Sequence, residues 1–178
     1  MVPIPPATVV SVGFLTNLLD LMLSTGDENS ALDGPALVSR KVKRMVVMGG
    51  RRWPSEEVEW NFGGCGGGCG NFGLLGSITN QTFDLWPRDV PVIYLGFEAG
   101  STVRTGLSAV RRGLPSAPCD LAYGWFCDRL EGWCEAGGRN SWDPMVLLYA
   151  VRGDTVSAEG FERPAFLSGG RGALHHLS

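Results

Sequence analysis

Histidine is nearly missing from this chain. Only His175 and His176 occur among 178 residues, both close to the last one. That excludes most His-based metal sites and Ser-His-Asp arrangements from the body of the protein. A basic excess is missing too: 15 Lys and Arg stand against 18 Asp and Glu, so nothing favours nucleic acid as a partner. No apolar run reaches the ~18 residues of a membrane span. There is no internal repeat, charge block or linker. The start of the chain lacks a basic region and a small-residue cleavage site, so no signal peptide is expected. Five cysteines (Cys65, Cys69, Cys119, Cys127 and Cys134) make an odd count, which argues for reduced thiols and a cytoplasmic setting.

What is present is globular in composition, with 44% hydrophobic and 19% charged residues. Glycine is the excess, 26 residues, roughly twice the usual ~7%. It is concentrated: eight of the residues from Gly63 to Gly76 are glycine. The pattern of elements is α/β. Val9 to Gly13 reads as a buried strand, and Thr16 can cap a helix over Leu18 to Leu23. Gly26 to Gly34 is a polar loop, and Pro35 suits the first turn of a short helix through about Arg40. Arg44 to Met48 reads as a second strand and Pro91 to Gly96 as a third. Ser77 is expected to cap a helix through Leu85. Pro118 to Cys134 carries Leu121, Trp125, Leu130 and Trp133 at roughly helical spacing, which predicts a longer amphipathic helix. Asp143 and Pro144 start a last helix through Val151. The expected fold is an open, mostly parallel sheet flanked by helices, within residues 1–154. Residues 155–178 read as a poorly ordered tail, and 63–76 as a glycine-rich insert.

In such a sheet, ligands bind at the carboxyl ends of the strands. The segments there are Gly13 to Asn17, Met48 to Gly50, Glu59 to Gly76 and Gly96 to Gly100, joined by Asp143. A carboxylate at a helix start is often no more than a cap, and a lone Glu-x-Asn often only meets solvent. The order of the pieces adds information. VVSVGFLTNLLDL, KRMVVMGG, EWNF, PVIYLGFEAG and SWDPM occur in sequence, from Val9 to Val151. Together they resemble five segments of the calcium-dependent, inosine/uridine-preferring nucleoside hydrolases.

That resemblance implies hydrolysis of the N-glycosidic bond of a purine or pyrimidine ribonucleoside, giving ribose and free base. It implies calcium ligation by the Thr16 carbonyl and the Asp143 carboxylate. Met48 would sit beside the ribose, and Glu59 and Asn61 would hydrogen-bond its hydroxyls. Trp142 stands where many members carry a histidine that helps the base leave. An indole can stack on a base but cannot protonate one. The family's Asp-rich D-x-D-x-x-x-D-D segment, source of most calcium ligands and of the general base, is not in this sequence. The first matched strand corresponds to one well inside the family pattern, so the N-terminal strands are expected to be missing and little or no hydrolysis is expected. Two alternatives stand beside this reading. One is a non-catalytic α/β module that binds a partner or associates through an exposed sheet edge. The other is a dinucleotide site on Gly68-x-Gly70-x-x-Gly73.

Overall fold

A computed structural model describes residues 6–52, 58–64, 74–108, 117–129, 132 and 137–153. The insert glycines Gly68, Gly70 and Gly73, the Cys65–Cys69 pair, Leu130, Trp133 and the tail lie outside the described residues. The fold is mixed α/β. Strands β1 (Ala7–Ser11), β2 (Val42–Met48) and β3 (Val92–Leu95) form a parallel sheet in the order β1-β2-β3.

β2 is the central strand, and its sequence shows why. Met45, Val46, Val47 and Met48 are all buried, because a central parallel strand is covered on both faces. Successive side chains alternate in direction. Met45 and Val47 join Leu15, Met22, Val38, Phe83 and Trp86 on one face. Val46 and Met48 join Leu95, Met145, Val146 and Tyr149 on the other. Helices α1 (Thr16–Leu23), α2 (Gly34–Lys41) and α4 (Leu75–Leu85) cover the first face, and the last helix, α7 (Trp142–Arg152), covers the second. Between them lie the short helices α3 (Trp60–Gly63) and α5 (Phe97–Ser101), helix α6 (Pro118–Arg129), and a two-stranded antiparallel ribbon, β4 (Arg104–Gly106) with β5 (Gly138–Asn140).

Several helix starts differ from expectation, and burial is the reason each time. Thr16 does not cap α1 but is its first residue; Leu15 precedes it and offers no side-chain bond. Leu15, Leu19 and Met22 recur at helical spacing and are all buried, and the Leu15 carbonyl accepts from the Leu19 amide at 2.8 Å. α4 likewise begins at Leu75, two residues before Ser77, because Leu75, Thr79 and Phe83 form its buried stripe. α2 does start on a side-chain cap, Asp33 Oδ1 accepting from the Ala36 amide at 2.9 Å, with Pro35 in the first turn. α7 begins at Trp142, so Asp143 lies inside it rather than capping it.

α6 departs further. None of its described side chains is buried, and Leu121 and Trp125 are more than half exposed. The face it turns inward carries Ala122, Tyr123 and Phe126 instead. Leu121 and Trp125, the described members of the expected stripe, face outward. Cys119 on this helix is a free, exposed thiol. Cys127 is disulfide-bonded, contrary to the expectation of reduced thiols. An odd cysteine count leaves a thiol over; it does not forbid a pair. No helix among the described residues is long and apolar enough to cross a membrane.

Met45 belongs to the first core face and is fully buried. Met45→Ala should cost about 2–5 kcal/mol of stability, from lost burial plus the residual cavity. A chemical-denaturation midpoint equal to that of the parent would contradict the placement of this strand at the centre.

Candidate functional site

The loops that leave the three parallel strands converge on one cleft of about 700 Å³. Val12 follows β1, Met48 and Arg51 end β2, and Phe97 follows β3, so the cleft sits at the carboxyl edge of the sheet. α3, α6, β5 and the start of α7 supply its other walls.

The turn after β2 organises the floor. Gly50 has φ +81°, a conformation that glycine adopts without penalty. Its amide donates to Glu59 Oε2 at 3.0 Å, and its carbonyl accepts from the Phe97 amide at 2.9 Å. Gly49 has no room for a side chain, because the Phe62 ring occupies that space. Glu59 is 6% exposed. Besides Gly50, its carboxylate accepts from the amides of Asn61 (2.9 Å) and Phe62 (3.1 Å), so it caps α3 and ties α3 to the end of β2. Asn61 in turn donates Nδ2 to the Met48 carbonyl and Sδ, both at 3.1 Å. Its Oδ1 accepts from none of the described residues.

The opposite wall is aromatic and cationic. The Trp142 indole donates Nε1 to the Phe97 carbonyl at 2.7 Å, and the two rings lie 5.2 Å apart. The Arg51 guanidinium is 3.9 Å from the Phe97 centroid, and that of Arg139 is 4.8 Å from the Trp142 centroid. Trp142 is held from below as well. Gly100 admits no side chain because the Trp142 backbone fills that space, and the Ser141 amide donates to the Gly100 (3.1 Å) and Val103 (2.9 Å) carbonyls. The Ser141 hydroxyl bonds Thr105 Oγ1 at 2.7 Å rather than capping α7. Asp143, one residue into α7, accepts no hydrogen bond from the described residues. Partial burial at the wall raises its pKa above the ordinary aspartate value, and the Arg139 charge opposes that rise.

Of the six residues singled out on sequence, the structure brings Met48, Glu59, Asn61, Trp142 and Asp143 to this cleft. Thr16 is not among the lining residues; it lies exposed in the first turn of α1. Asp143 is not a cap, whereas Glu59 is one, at the start of α3, and is buried rather than solvent-facing. Arg51, Phe97, Tyr123, Phe126 and Arg139 join them without having been expected. For Arg51 and Phe97 the sequence holds a signal, since each lies within a few residues of a strand end. For Arg139 it holds none, because β5 has no recognisable pattern of its own.

Calcium takes roughly six to eight hard oxygen ligands. The described residues do not fit it. Glu59 already serves three amides, Thr16 is outside the cleft, and among the described residues no three His, Cys, Asp or Glu side chains cluster. Among the described side chains of the cleft the Asp143 carboxylate and Asn61 Oδ1 remain, too few for calcium. No protein-family model, curated protein or solved structure matches the chain.

Because the Glu59 carboxylate is buried and satisfies three donors, Glu59→Gln turns one acceptor into an NH2 facing an amide N–H. The expected loss is about 1–3 kcal/mol, read as a lower denaturation midpoint. An unchanged midpoint would remove the clasp from this description.

Proposed function

We propose that the cleft binds a ribonucleoside and does not hydrolyse it. The observation that carries this reading is the meeting of Met48, Glu59, Asn61, Trp142 and Asp143 in one cleft at the carboxyl ends of three parallel strands. In this reading the ribose lies over Met48. Its hydroxyls donate to Asn61 Oδ1 and to the Asp143 carboxylate, two acceptors that the described residues leave unused. The base lies against the aromatic wall, where Trp60 and Tyr123 join Trp142. Glu59 acts at one remove, by holding Asn61. Turnover needs a positioned base for water and stabilisation of the departing ring. Among the described residues the one carboxylate left for that work in the cleft is Asp143, and the indole of Trp142 offers the leaving base no proton.

Inosine and uridine should bind with a dissociation constant below about 1 mM, seen by calorimetry. Neither should release free base above the uncatalysed rate, with calcium or without. No detectable heat with either nucleoside would remove the reading. Base release abolished by Asp143→Ala would make the chain a hydrolase instead.

A second reading, an interaction module, has its own observation. α7 is apolar on both sides: Met145, Val146 and Tyr149 face the sheet, while Leu147, Leu148 and Val151 are exposed. A helix apolar all round is normally covered. An antiparallel second copy centred between Leu147 and Leu148 would set Pro144 opposite Val151 and Asp143 opposite Arg152, so the stripe and the end charges are self-complementary. In this reading the chain dimerises with rising concentration in sedimentation, and Leu148→Glu returns it to monomer. A monomer at every concentration tested would dismiss the second copy as occupant.

A further inference from the structure

Three polar side chains of the cleft wall direct N–H groups back into the protein. Asn61 Nδ2 goes to Met48, Asn140 Nδ2 to the Ser101 carbonyl, and the Trp142 indole to the Phe97 carbonyl. Tyr123 brings a hydroxyl to the same wall. Its ring fills the space that a side chain on Gly106 would need. Its hydroxyl oxygen lies 3.2 Å from Thr105 Oγ1, and Thr105 Oγ1 lies 2.7 Å from Ser141 Oγ. Ser141 Oγ in turn reaches the Arg139 carbonyl at 3.4 Å. Thr105 and Arg139 are paired across the ribbon, so this row of hydroxyls is built on β4 and β5. The Tyr123 hydroxyl is near enough to the Arg139 guanidinium, which stands over Trp142, to act on its pKa.

The direction of the three protons follows from the closed end of the row. A carbonyl can only accept. Ser141 is fully buried, and its proton goes to the Arg139 carbonyl. With that proton spent, Ser141 accepts from Thr105, and Thr105 then accepts from Tyr123. A phenol, with a pKa of about 10, is well suited to be the donor that starts the row. The reverse order would leave the Tyr123 proton and the Ser141 oxygen without partners among the described residues. The Tyr123 oxygen therefore meets a ligand with its lone pairs alone, as an acceptor.

We propose that Tyr123 selects a base carrying an N–H or NH2 donor on its edge, and that Thr105 and Ser141 are positioning residues that fix the Tyr123 hydroxyl as an acceptor. This rests on the nucleoside reading of the same cleft and names the kind of base it takes. Asn61 Oδ1 and the Asp143 carboxylate stay available for the ribose hydroxyls.

The test compares adenosine with purine riboside, which differs from it by lacking the 6-amino donor, using calorimetry on the same protein. Adenosine should bind about three- to tenfold more tightly, the worth of one hydrogen bond. Tyr123→Phe should bring the ratio of the two affinities close to one. Thr105→Val keeps the phenol but frees its proton, which can then go to N1 of purine riboside. There the ratio should fall to one or below, a change that lost packing alone would not produce. Thr105 is exposed, and the comparison on the unaltered protein decides the selection even if neither variant folds. Equal binding of the two nucleosides by the unaltered protein would overturn the selection and leave the nucleoside reading standing. A ratio that survives Tyr123→Phe would assign the amino group to another acceptor and overturn the role of Tyr123. A ratio lost in Tyr123→Phe but kept in Thr105→Val would overturn the positioning by Thr105. No binding of either nucleoside would overturn the nucleoside reading, and this proposal with it.

Discussion

The Glu59 carboxylate accepts from the amides of Gly50, Asn61 and Phe62, and the cleft depends on those three bonds. They join a turn at the end of β2 to a helix of only four residues, which is too short to hold itself. Gly50 passes the connection on, since its carbonyl takes the Phe97 amide. One buried side chain thus sets the loops of β2 and β3 and the position of Asn61. Burying a carboxylate is costly unless its lone pairs are used, and here three backbone donors use them. The Phe62 ring closes the arrangement. It packs on Gly49 from above and meets Phe83 and Tyr94 edge-on below, at 5.5 and 6.2 Å. The same apolar surroundings push the Tyr94 hydroxyl pKa up to about 12.

Above this clasp the division of labour follows from the parallel sheet. A strand buried on both faces has no polar side chain to offer, so polar groups reach the ligand edge only after the strands end. β2 illustrates it: four buried apolar residues, then Gly49, Gly50 and Arg51. α7 then completes the far wall because its inner face, Met145, Val146 and Tyr149, is anchored on Val46 and Met48. Trp142 and Asp143 are carried to the cleft by that packing, with no side-chain cap holding the helix start.

The parts legible in the sequence are those where local chemistry and tertiary packing agree. β2 is legible because a central strand must be apolar throughout. α2 is legible because Pro35 suits the first turn and little else in a helix. Where packing competes with capping, packing prevails: Thr16 and Ser77 are good caps by type, yet Leu15 and Leu75 had to be buried and moved the helix starts. α6 misleads for a related reason. Leu121 and Trp125 suggest a core stripe, but its inward face looks onto the cleft and carries Tyr123 and Phe126. Of the site, the residues at strand ends are legible. The Glu59 bonds are not, because they use backbone amides that leave no mark in the sequence.

The aromatic wall explains why the cationic side of the cleft can exist at all. The Arg104 charge opposes that of Arg139, and burial at the wall costs Arg139 hydration as well. Phe97 and Trp142 offset part of that loss through their ring faces, and Trp142 is fixed for the task by its bond to the Phe97 carbonyl and by the space that Gly100 leaves. The rings therefore serve the charges before they serve any ligand. The indole at position 142 is for that reason a platform for Arg139 as well as a wall of the cleft. A histidine there would be a smaller and weaker platform for Arg139.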